Sequence, residues 1–76
     1  MRWRERLAAL DDAVVMAAVE RHRRGGEPPL TATLLALREL LGEVPPASAA
    51  RELGVERALV VRAMHDIETR DASATD

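Results

Sequence analysis

Eight residues punctuate this chain. The glycines Gly25, Gly26, Gly42 and Gly54 and the prolines Pro28, Pro29, Pro45 and Pro46 fall in "GGEPP", "GEVPP" and the single glycine of "LGV". Proline breaks a helix interior, and glycine supplies the left-handed residue that closes one. The intervening stretches carry helical periodicity. No alternating run of β-branched and aromatic residues marks a strand. The expectation is an all-α chain of four helices, a long N-terminal helix followed by a three-helix unit.

The first helix is expected from about Arg2 to Arg24. Trp3, Leu7, Leu10, Val14 and Ala17 recur at 4,3,4,3 spacing, a heptad-like seam. Within it "AVVMAAV", Ala13 to Val19, has no polar side chain on any face. A helix apolar all round is buried all round, and three short helices hardly surround it. The seam, Leu7, Leu10, Val14 and Ala17, is therefore expected at a homodimer interface. Gly25 is the expected left-handed cap. The basic run Arg21, Arg23 and Arg24 sits where the helix dipole favours cations.

The second helix is expected over Ala32 to Leu41, capped by Thr31 with Leu30 and Leu35 as a hydrophobic staple. Leu30, Leu34, Leu37 and Leu41 make its stripe, and Gly42 closes it. Pro46 to Leu53 forms the third helix and Glu56 to about Thr69 the fourth. The small polar residues of 71–76 read as a disordered tail. The organisation is thus 1–27 for dimerisation, 28–70 as the folded unit, then the tail.

Composition limits the core. A chain of 76 residues buries only about 60% of its unfolded surface. Fourteen of its apolar residues are alanine and Trp3 is its single aromatic, which strengthens the expectation of a partner chain. No cysteine is present, which fits a reducing cytoplasm and excludes disulfides. No apolar run approaches a membrane span. The net charge is −2, but residues 1–24 hold six Arg against Glu5, Asp11, Asp12 and Glu20. No cofactor or metal-ligand spacing appears, and His22 and His65 form no catalytic constellation. The chain is not expected to be an enzyme.

The segment 46–68 carries the most specific pattern. Two closely crossing helices need a small residue at the contact, supplied by Ala50. The tight turn needs a residue tolerant of left-handed geometry, supplied by Gly54 four positions on. Leu53 and Val55 flank that turn. Val60, Ala63, Met64 and Ile67 then give an inward stripe.

The stretch "PPASAARELGVERALVVRAMHDIE" resembles the DNA-binding segment of bacterial helix-turn-helix transcription regulators, especially the GntR and LysR families. "AARELGV", Arg57, Val60, Arg62 and the closing "IE" carry the likeness, which covers roughly residues 34–68. The resemblance implies that the last helix enters the major groove of double-stranded DNA by its N-terminal end. It also implies that Arg57, Ala58, Val61, Arg62 and His65 face outward with Glu56, and that Arg51 adds affinity. Arginine suits guanine because its fork reaches both acceptors.

The segment departs from that family in four ways. Glu56 stands where a hydroxyl usually caps the helix, and a carboxylate repels phosphate. Leu59 and Val61 make the outer side apolar, and such a surface often meets protein. "TRDASATD" does not supply the β-hairpin wing of a GntR-type domain. Residues 46–70 balance four Arg against four acids. Arg2, Arg4 and Arg6 are candidates for a compensating basic arm. Two functions follow as expectations: a dimeric DNA-binding transcription regulator, or an interaction module whose helix-turn-helix meets another protein through Leu59 and Val61.

Overall fold

The computed structural model describes residues 2–74, and among these every regular element is helical. Five helices form rather than four: α1 (Trp3–Ala8), α2 (Asp12–Arg24), α3 (Pro29–Leu41), α4 (Pro46–Leu53) and α5 (Arg57–Ala74). The long N-terminal helix is broken at Ala9–Asp11. Asp11 is extended, with φ −70° and ψ 127°. Its carboxylate accepts a 2.8 Å hydrogen bond from the Ala13 amide. An N-cap of this kind satisfies a donor that a starting helix leaves open, so Asp11 begins a new helix where the heptad spacing ran through.

The break lets α1 fold back. Trp3 is buried, and its indole Nε1–H donates to the Glu43 carbonyl at 2.7 Å. Arg6 donates to the Leu41 carbonyl at 2.8 Å, one of the acceptors left open at the end of α3. Arg4 pairs with Glu52 on α4 at 3.2 Å. The short first helix is therefore a strap over the α3–α4 turn.

The central element is α3, packed along α2 on one side and against α5 and α1 on the other. Leu34, Leu37 and Leu41 form one buried stripe, joined in the main cluster by Trp3, Val44, Ala49, Ala50, Val60, Ala63 and Ile67. Ala32 and Ala36 are fully buried on the opposite face. Glu39 shares that face and bonds Arg21 and His22 of α2. Alanine on this face lets α2 lie close, with Val15, Ala18 and Val19 turned inward.

The other helices do not enclose "AVVMAAV", in line with the expectation, since Ala13, Val14, Met16 and Ala17 are exposed. Several other expectations are corrected. Of the expected seam, Leu7 and Leu10 pack on the chain's own core, while Val14 and Ala17 face solvent. Gly25 has φ −75°, and the left-handed residue is Gly26 at φ 97°. Thr31 lies inside α3, whose N-cap is Pro28, because Pro29 suits a first helical turn without any side-chain cap. The tail does not begin at Asp71. The last helix runs on to Ala74, with Arg38 donating to the Asp71 carboxylate at 2.8 Å. Residues 75 and 76 lie outside the described residues. No helix among the described residues is long and apolar enough to cross a membrane.

Candidate functional site

The helical pair α4 and α5 forms with the geometry its residues require. Ala50 is 6% exposed at the contact, where any larger side chain forces the two axes apart. Gly54 ends α4 in the left-handed conformation at φ 68°. Its amide, and that of Val55 at 3.1 Å, donate to the Ala50 carbonyl. The Glu56 carbonyl accepts from Leu59 at 3.1 Å, which opens α5. Val60, Ala63 and Ile67 are buried, and Met64 packs against them.

At about 100° per residue, that inward stripe leaves Ala58, Val61, Arg62 and His65 on the opposite face. All four are exposed, as are Arg57 at the helix start and Arg51 on α4. The structure thus brings every expected contact residue to solvent around one turn. Leu59 and Val61 are also exposed, at 47% and 45%. Spaced two apart, however, they lie about 160° from one another around the helix. They sit on opposite flanks of α5 and do not make one patch.

The arginines divide sharply. Arg4 pairs with Glu52, Arg21 with Glu39, Arg23 and Arg24 with Glu20, Arg38 with Asp71, and Arg70 with Glu27. Arg6 is spent on the Leu41 carbonyl. Arg51, Arg57 and Arg62 have no ion pair among the described residues, and neither does Arg2. The basic arm of Arg2, Arg4 and Arg6 therefore does not stand free as expected, because two of its three guanidinium groups hold the strap closed. By reaching Glu52, Arg4 neutralises the acid next to Arg51. That compensation joins residues far apart in sequence, and only the break at Asp11 makes it possible.

The remaining charge is uneven along α5. Its N-terminal half presents Arg57 and Arg62, with Arg51 nearby, against the exposed Glu56. The positive end of the helix dipole lies there too. Asp66 and Glu68 stand further along, where Arg70 is engaged by Glu27 through both oxygens, at 2.6 and 2.8 Å. The hydrogen bond from Arg70, aided by its charge, holds the Glu27 carboxyl below the usual glutamate range despite partial burial. Among the described residues no group of three or more His, Asp or Glu side chains is placed to hold a metal. The site offers free guanidinium groups on a convex helix, with small or apolar side chains between them.

The chain matches no protein-family model, no curated protein and no solved structure with which it was compared.

Proposed function

We propose that the α4–α5 unit is the DNA-binding element of a helix-turn-helix transcription regulator, with the N-terminal half of α5 in the major groove. The observation that carries this reading is the distribution of free charge. Most arginines are bound within the chain, and among the described residues Arg51, Arg57 and Arg62 have no ion pair and lie exposed on either side of Gly54, at the end of α4 and along the N-terminal half of α5. Unpaired cations beside phosphate release counterions and supply sequence-independent affinity. On this reading Arg57 and Arg62 contact guanine edges or phosphates, Ala58 allows close approach, and Val61 meets a thymine methyl. His65 and Arg51 lie at the margins.

The separation of Leu59 from Val61 weighs against a protein contact made by both. A partner touching Val61 loses Leu59 to the far flank.

The test is fluorescence anisotropy of a labelled duplex at about 50 and 200 mM salt. Three neutralised phosphates give a slope near −2.7, hence roughly fortyfold weaker binding at the higher salt. Arg57→Ala and Arg62→Ala each weaken binding, and a lost phosphate contact lowers the slope by about 1. Helical circular dichroism stays unchanged, because both side chains are exposed. A folded protein that binds no duplex at low salt overturns the proposal.

A further inference from the structure

One face of α2 has no partner among the described residues. Val15, Ala18, Val19 and His22 turn toward α3, and the opposite face carries Ala13, Val14, Met16 and Ala17, all exposed, with Glu20 and Arg24 on the same face toward its C-terminal end. Met16 is the most exposed large apolar residue among the described residues, at 70%. The two ends of this face are opposite in charge. Asp12 stands at the first helical position with no ion pair among the described residues. Arg23 and Arg24 stand in the last turn and, among the described residues, pair with Glu20 of their own helix, at 4.0 and 3.7 Å.

We propose that this face is a homodimer interface, in which two α2 helices pack antiparallel about a two-fold axis. A two-fold of this kind lays each flank of the helix on the same flank of its twin, with ends exchanged. Asp12 and Arg23 are eleven residues apart, three helical turns, so they share the flank that also carries Met16. Asp12 then meets the partner's Arg23, twice per dimer, with Met16 between the pairs. Val14 and Arg21 are seven residues apart and share the other flank, so Val14 lies along the stem of the partner's Arg21. Ala13 and Ala17 lie along the centre, followed by Glu20 and Arg24, which pair with each other at 3.7 Å. The helix dipoles also oppose, which favours this pairing.

A parallel arrangement puts Asp12 on Asp12 and arginine on arginine. The charge pattern therefore selects a second copy in the antiparallel sense. Thirteen residues of helix span about 20 Å, which places the contact in the small, transient size class below about 1,200 Å². The proposal does not rest on duplex binding. It also differs from a seam through Leu7 and Leu10, which the chain's own core occupies.

Sedimentation equilibrium of the full chain from about 10 to 500 µM tests it. The mass is expected to rise from one chain to two. Ala17→Glu keeps a good helix former on an exposed position and should weaken association tenfold or more. Asp12→Arg and Arg23→Glu should each weaken it as well. An equimolar mixture of those two variants should restore it, because each chain then meets its complement at both ends. Circular dichroism checks that each variant is helical, and Ala17→Glu keeps the test intact if a charge reversal unfolds the chain. A wild-type chain that stays monomeric, a dimer indifferent to Ala17→Glu, or a mixture of folded variants that fails to restore association overturns the proposal.

Discussion

At the scale of single residues, Gly54 shows how backbone geometry positions the candidate site. A Cβ added there meets nothing within 4 Å, yet the residue holds φ +68°. The cost of any side chain is thus conformational rather than steric crowding from neighbours. For an L-residue in this region it amounts to about 1–2 kcal/mol. Gly54→Ala should lower stability by that amount, and the melting temperature by several degrees per kcal/mol in a domain this small. Gly25→Ala is the comparison. Gly25 has an ordinary φ of −75°, and its added Cβ lies 3.3 Å from the His22 carbonyl oxygen, so a few tenths of an ångström of adjustment accommodates it. Thermal melts showing equal losses for the two variants would remove the left-handed turn as the explanation. The same residue was legible in the sequence, because a glycine four places after a small helix residue has few other uses. The unpaired state of Arg57 and Arg62 was not legible. It depends on where the acids of the whole chain find their partners.

Among the elements, α4 was readable to its ends, because Pro46 and Gly54 fix its boundaries by covalent geometry. The inward stripe of α5 was readable by period. The strap was not. Ala8, Ala9 and Leu10 are good helix formers, so apolar spacing runs smoothly through the break. The one local signal against continuity, the Asp11 cap, weighs little beside a five-residue seam. What decides the break is Trp3, whose indole reaches a carbonyl 40 residues away. Burying the chain's single aromatic ring outweighs the few helical hydrogen bonds given up at Ala9–Asp11. Trp3→Ala should cost about 3–5 kcal/mol, a large share of the roughly 4–11 kcal/mol that a chain of this length holds. Trp3→Phe keeps most of the ring and loses the bond to Glu43, so about 1 kcal/mol is expected. Urea titrations followed by circular dichroism separate the two. A Trp3→Ala chain as stable as wild type would mean that α1 adds nothing to the folded unit.

Across the whole molecule, ion pairs tie elements that the small core joins only lightly. Glu27, in the turn between α2 and α3, grips Arg70 of α5. Glu39 of α3 holds Arg21 and His22 of α2. Arg70 lowers the Glu27 pKa first by hydrogen bonding and then by charge. For Glu39 the hydrogen bond with His22 leads and the charge of Arg21 follows, with burial opposing the shift at both sites. A carboxyl whose pKa is lower in the folded chain binds fewer protons there than when unfolded, so stability rises with pH through that window. The contribution is fully present above about pH 4.5, the ordinary glutamate value, and is lost as pH falls through the lowered folded values. Exposed pairs are individually weak, so the effect is modest and belongs to acid solution. Urea midpoints measured from neutral pH downward should fall below that value. A chain carrying Glu27→Gln and Glu39→Gln should start lower at neutral pH and fall less steeply, because two of the titrating groups are gone. If the double variant matches the wild-type slope, the acid sensitivity lies with other carboxylates, and the two clasps add no pH-dependent stability.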